Sequence, residues 1–163
     1  MKKLIYTLLI IIALTNNSFA AGSSSDSDST PKASDYTKAK NLIIAAKKYE
    51  EKGKTKKAEK RYAKAQKLLL KSNDKKPLQA DTLNYLGFTT RKLGDYEGGE
   101  KFYLQGLHIE PNHNGINEYL GELYVATNRM DMAKERLEIL KTCNCEEFDE
   151  LKEIIEGTKK SKY

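Results

Sequence analysis

Apolar and polar positions divide the chain into three regimes. Leu4 to Leu14 is a largely apolar run without a charge, whereas residues 21–35 carry almost no apolar side chain. From Tyr36 onward, apolar and small residues return at helical spacing, in blocks punctuated by Gly, Asn or Pro. In one block Leu83, Leu86 and Leu93 share a stripe that Gly94-Asp95 ends. Asp95 stands where an N-cap is wanted, so a second helix is predicted from Tyr96 to about Ile109, ended by Glu110-Pro111-Asn112. Glu146 to Glu156 spaces Phe148, Leu151, Ile154 and Ile155 along one face among acids, which predicts a terminal helix.

The first regime reads as an address. Lys2 and Lys3 precede the apolar run, Thr15 to Ser18 are polar, and Ser18 and Ala20 frame a cleavage site after Ala20. This is the order of a secretory signal peptide, residues 1–20. A retained membrane anchor is the alternative, but eleven apolar residues fall short of the roughly 20 that span a bilayer. No cysteine adjoins the site to carry a lipid. Export to the periplasm or beyond is therefore expected. Cleavage takes two lysines from a formal charge of +6 and leaves +4. Residues 21–35 (AGSSSDSDSTPKASD) have too little apolar surface to order themselves and are expected to form a flexible, Ser-rich linker.

The third regime repeats itself. Leu86-Gly87 recurs 34 residues later as Leu120-Gly121, and the same offset links Gly94 to Asn128, Gly99 to Ala133, Tyr103 to Leu137 and Gly106 to Leu140. At an offset of 41 the pattern finds Ala45-Ala46, Tyr49, Gly53, Ala58, Tyr62 and Ala65. Seven residues, Asn73 to Gln79, are thus inserted between the first and second copies, and stacking of the first on the second is expected to suffer. A period of this length is the signature of stacked helical hairpins.

These residues resemble the tetratricopeptide repeat family. Ala80 to His113 carries its pattern best, in Leu86-Gly87, Gly94, Gly99, Tyr103, Gly106 and Pro111. It departs at Thr90, where an aromatic is usual, and in using Gly for Ala, which is expected to weaken its second helix. Asn114 to Glu147 matches through Leu120-Gly121, Tyr124, Asn128, Ala133, Leu137 and Leu140, and Ala39 to Ser72 matches most weakly. The resemblance implies an all-α, right-handed α-solenoid of about three hairpins over residues 36–157, with the terminal helix as its cap and a basic tail at 158–163. The leader together with Cys-x-Cys-Glu-Glu-Phe-x-x-Leu-Lys also resembles small exported bacterial proteins of this family.

Composition narrows the chemistry. Only two histidines are present, His108 and His113, five apart and without a neighbouring nucleophile motif; they read as surface polar residues. Gly98-Gly99 lies within a helix and follows no strand, so it is no phosphate cradle. No catalytic residue, cofactor or metal site is expected, and the chain is read as a non-enzyme. Cys143 and Cys145 are the one reactive pair. They form a local staple, pack as two partly buried thiols between the last turn and the terminal helix, or close a strained, redox-active bridge, and the last makes an exported redox protein the competing class.

Charge is distributed unevenly. Residues 38–76 hold 15 basic and 4 acidic residues, while 114–156 hold 5 and 11. The lysine-rich first copy is compatible with a solvated helix face, with contact to an anionic membrane surface, or with head-to-tail self-association against the acidic end. Nucleic acid is not expected, because few aromatics interleave those lysines. The resemblance implies a concave groove lined by the first helix of each hairpin and binding a peptide or partner helix. It places Lys40, Ile43, Lys47 and Glu50 there from the first copy. Asn84, Phe88, Arg91 and Lys92 come from the second, and Glu118, Glu122 and Val125 from the third. Some family members clamp a terminal carboxylate with such residues. Lys47, Asn84, Arg91 and Lys92 are then the matching clamp and Phe88 the apolar anchor, with Glu118 and Glu122 departing from it. The expected function is a non-catalytic scaffold or adaptor for an unidentified protein or peptide.

Overall fold

The computed structural model describes residues 33–161; the leader and most of the linker lie outside them, as do the last two residues of the tail. Among the described residues there are seven helices and no strand. They are α1 (Asp35–Glu51), α2 (Thr55–Lys75), α3 (Ala80–Lys92), α4 (Tyr96–Ile109), α5 (Asn114–Ala126), α6 (Met130–Leu140) and α7 (Glu146–Ile155). Three antiparallel hairpins, α1/α2, α3/α4 and α5/α6, stack through α2 on α3 and α4 on α5, and α7 closes the end against α5 and α6. The first helices also meet one another, α1 with α3 and α3 with α5. No helix among the described residues is long and apolar enough to cross a membrane.

The repeat dictates the hairpin turns. Gly53, Gly94 and Asn128 occupy the same position of the three copies, and all have positive φ, at 66°, 94° and 59°. Each is followed by the same pair of backbone bonds. Gly53 N–H donates to Glu50 and Lys54 N–H to Tyr49; Gly94 to Arg91 and Asp95 to Thr90; Asn128 to Val125 and Arg129 to Tyr124. This six-to-one, five-to-two closure satisfies the last carbonyls of α1, α3 and α5 and needs a residue that tolerates left-handed backbone. Asp95 then caps α4 by accepting from Gly98 N–H at 2.8 Å.

Small residues set how closely helices approach. The Tyr103 ring of α4 packs against the Gly87 backbone, where an added Cβ would lie 2.5 Å from it, and Gly99 faces the Gly87 carbonyl in return. Glycines cost a helix about 0.5–1 kcal/mol each, yet α4 forms over its full 14 residues because they permit this contact. Tyr103, Leu86 and Leu120 are fully buried. Thr90, the departure from the family pattern, is also buried and accepts a hydrogen bond from Gln66 of α2 at 2.8 Å. In the third copy it is Leu151 of α7 that covers Gly121, while Leu137 is only half-buried. The cap helix thus completes the last hairpin.

The insertion does not interrupt the stack. Helix α2 has 21 residues where α4 has 14, and α1 has 17 where α3 and α5 have 13. Seven residues are nearly two whole turns, so the chain leaves α2 with its phase displaced by only about 20°. The longer α1 packs against that extension: Asp35 accepts from Lys75 at 2.7 Å, and Tyr36 meets Tyr85 of α3 edge-on at 5.9 Å. The weakened stacking expected from sequence is replaced by one lengthened hairpin. Its first residues belong to the fold rather than the linker, since Ser34 caps α1 by accepting from Thr37 N–H.

Candidate partner-binding face

Helices α1, α3 and α5 bring their inner faces together around an aromatic ladder. Tyr62 of α2 meets Phe88 of α3 at 5.7 Å between centroids, and Phe88 meets Tyr119 of α5 at 5.2 Å. Lys47 of α1 lies across it, with Nζ 4.8 Å from the Phe88 centroid and donating to Tyr119 Oη at 3.3 Å. A lysine over aromatic faces gains a quadrupole attraction while its stem covers apolar surface. The ladder ties all three hairpins across the inner side of the stack.

The charged residues of this face are paired. Arg91 and Glu122, both with fully buried side chains, form an ion pair at 3.0 Å. The other Arg91 nitrogen donates to the Tyr119 carbonyl at 2.8 Å. Lys92 pairs with Glu50 at 2.6 Å, and Glu50 also accepts from the Tyr62 hydroxyl. Burial pushes the phenols of Tyr62, Tyr103 and Tyr119 well above their usual range; the Glu50 hydrogen bond adds to this at Tyr62 and the Glu118 charge at Tyr119.

The acidic side of the face lies on α5 and α7. Carboxylate oxygens of Glu118, Glu122 and Glu150 all fall within 4.8 Å of one another. Glu118 and Glu122 are buried and Glu150 half-buried. After α7, Gly157 turns the chain with φ +73°, and Lys159 folds back to Glu150 at 3.0 Å and Glu153 at 3.6 Å. Its ammonium pKa is held above the usual value by the hydrogen bond it donates to Glu150. Ser161 Oγ then reaches Glu122 at 3.4 Å.

The residues expected to form a carboxylate clamp therefore converge, but not as a clamp. Phe88 is 1% exposed and is a core residue of the ladder, not an anchor standing open to a ligand. Arg91 is buried against Glu122, and Lys92 is held by Glu50. Asn84 is buried, and its Oδ1 makes no hydrogen bond among the described residues. Lys47 belongs to the ladder. Ile43 is in the core, and Lys40 lies over Tyr36 and Tyr85. These positions were expected to stand open in a groove, whereas Glu122 and Glu50, each one hairpin away, close upon Arg91 and Lys92. Tyr119, Glu150, Lys159 and Ser161 were not foreseen. Tyr119 adjoins the Leu120-Gly121 signature, and that adjacency was the one legible signal.

Other candidates take definite places. Cys143 and Cys145 are bonded to each other in the turn between α6 and α7, with Asn144 at φ 48° between them. His113 is no idle surface residue: its Nδ1 accepts from Ile116 N–H at 3.2 Å and caps α5, and Nε2 lies 3.3 Å from Asp81. Lys56, Lys60, Lys64 and Lys67 are exposed along α2. Beside them the Arg61 guanidinium lies 5.0 Å from the Tyr49 ring and lowers its phenol pKa.

No protein-family model matches the chain, and no curated protein matches it. Among solved structures it is similar to the first TPR of Spaghetti (RPAP3) bound to the HSP90 peptide SRMEEVD. The match has 20% identity over 77% of this chain and 96% of that one, with a TM-score of 0.47.

Proposed function

We propose that the protein is a non-catalytic interaction module that binds an extended segment of another protein along the inner face of α1, α3 and α5. The observation that carries this reading is the division of charge across one continuous face. Lys47 and Lys92 lie on its α1–α3 side, and Glu118, Glu122 and Glu150 converge on its α5–α7 side. Such a face orients a chain whose basic residue points toward α5 and α7, because like charges placed there repel. Tyr119, the half-buried member of the aromatic ladder, supplies rigid flanking surface at little entropic cost.

Binding of short synthetic peptides to the full chain, followed by calorimetry, tests this. Peptides with a lysine at one end should bind, charge-reversed peptides should not, and Glu150→Gln should weaken the former. Equal affinity for both charge orders, unaffected by Glu150→Gln, would sink the reading. We also propose that the chain is exported to a bacterial envelope, on the strength of Lys2-Lys3, the Leu4–Leu14 run and Ala20. Expressed in a bacterium with an outer membrane, it should be recovered from the periplasm beginning at Ala21. An intact start at Met1 in the cytoplasm counts against export.

A further inference from the structure

We propose that the outward side of α2, with the adjoining end of α1, is a docking surface for an anionic phospholipid bilayer. It lies apart from the inner face, on the side of α2 opposite the core-facing Ala58, Tyr62, Ala65 and Leu69.

Helix α2 carries eight basic residues and two acidic ones. Lys56, Lys60, Lys64, Lys67 and Lys71 recur three or four residues apart and are all exposed, so they form one stripe about 22 Å long. Lys71 reaches Asp35 at 3.8 Å, whereas Lys56, Lys60, Lys64 and Lys67 pair with no carboxylate among the described residues. Like charges at this spacing destabilise a helix. Helix α2 also has no acid in its first turn, where Lys56 and Lys57 oppose the helix dipole. Solubility alone is served better by mixed charge, with Glu one turn before Lys. The stripe therefore carries a cost that an anionic partner relieves.

The flank of the stripe is shaped as well as charged. The Arg61 guanidinium lies over the Tyr49 ring, and two hollows open beside this pair. One, of about 300 Å³, is lined by Lys57, Lys60 and Lys64; the other, of about 230 Å³, by Ala45, Lys48 and Lys52. Each admits a phosphate group between ammonium groups that donate to its oxygens. The Tyr49 phenol reports the field there. Arg61, chiefly through a hydrogen bond, and then Lys57 and Lys54 hold its pKa below the usual 10.0, so a negative oxygen is already favoured at this place. Ile44, 51% exposed, lies one turn before Lys48 on the same side of α1 and offers an apolar residue to the headgroup layer.

Charge density selects the partner. The acidic end of a second copy is a poor match. Glu146 to Glu156 holds six acids and one lysine, but residues 157–163 add three lysines, and Lys159 already folds back on Glu150 and Glu153. The stripe is straight and open to solvent, which suits a broad plane of phosphodiesters rather than one shaped ligand. Clusters of roughly four to eight basic residues on one helix face are attracted to such surfaces.

The test is sedimentation of the full chain with vesicles of phosphatidylcholine, with or without an equal share of phosphatidylglycerol. The chain should bind the mixed vesicles more tightly, and added salt should weaken that preference. Lys56→Gln, Lys60→Gln, Lys64→Gln and Lys67→Gln combined should lower the affinity about tenfold or more. Lys134→Gln, Lys141→Gln, Lys152→Gln and Lys160→Gln combined remove the same charge from the other end and should change it by less than about twofold. All eight positions are exposed, and circular dichroism checks that both variants keep their helices. The apolar run Leu4 to Leu14 is common to every variant, so the difference between them reads the stripe. Equal losses in the two variants, or equal binding to both kinds of vesicle, would overturn the docking surface. Stripe-dependent binding to heparin without binding to vesicles would assign the stripe to a linear polyanion and overturn the lipid partner. Stripe-dependent self-association without binding to vesicles would assign it to a second copy. The peptide titrations on the inner face stand or fall separately from these outcomes.

Discussion

Arg91 and Glu122 are a guanidinium and a carboxylate with no exposed side-chain surface, 31 residues apart in sequence and 3.0 Å apart in space. Removing two charges from water is costly, and their attraction repays it only while both are present. Glu122→Ala should therefore cost about 3–5 kcal/mol in urea unfolding, because Arg91 stays buried without this carboxylate. The double change Arg91→Met with Glu122→Leu should recover most of that loss. A cost below about 1 kcal/mol for the single change would show that the pair is not desolvated in solution. Phe88 teaches the same lesson at the same scale. Its position in the repeat reads as ligand-facing, yet Tyr62, Tyr119 and Lys47 enclose it, and none of them is adjacent to it in the chain.

At the level of elements, the repeat is an alternation of helix and left-handed turn. Gly94 has φ 94° and Asn128, its counterpart in the next hairpin, has φ 59°. Gly94→Ala should lose about 1–2 kcal/mol in thermal or urea unfolding, the cost of placing a Cβ in that backbone region. Gly94→Asn should lose less, since asparagine tolerates it at the equivalent turn. Equal losses for the two would show that something other than backbone conformation is responsible. These turns were legible in the sequence, together with the Asp95 cap, Gly87 under Tyr103 and the α7 cap. Each depends on residues within one hairpin or on its neighbour. The fate of Asn73 to Gln79 was not legible, because a seven-residue insertion reads alike as a loop or as two turns of helix. Packing of the longer α1, through Asp35 and Tyr36, accompanies the helical outcome.

Over the whole molecule, tyrosines join the hairpins, and their ionisation reports on the stack. Burial holds the phenols of Tyr62, Tyr103 and Tyr119 above the usual 10.0, so the neutral form is favoured in the folded chain. The stability they contribute is fully present below pH 10 and is lost as pH rises from there toward their folded values. Tyr49, lowered by Arg61, should ionise first without structural change. Phenolate absorbance followed together with circular dichroism should show an early non-disruptive phase, then a second phase coincident with loss of helix. Smooth ionisation of all tyrosines with helix intact would contradict the burial of the ladder. The charge division found at this scale also has two origins. The basic first copy and acidic last copy are countable in the chain, but the meeting of Lys159 and Ser161 with Glu150 and Glu122 comes from the tail folding back over α7.

The amino-acid sequence by itself determined the period, the hairpins, their turns and their cap, because these follow from local helix propensity and contacts between neighbours in the repeat. Only the tertiary structure decided which charge meets which across the inner face. A repeat specifies equivalent positions, whereas pairing depends on the distance and rotation between helices 30 to 70 residues apart. Those distances turned an expected carboxylate clamp into a set of closed ion pairs and gathered three carboxylates at the site where the tail arrives.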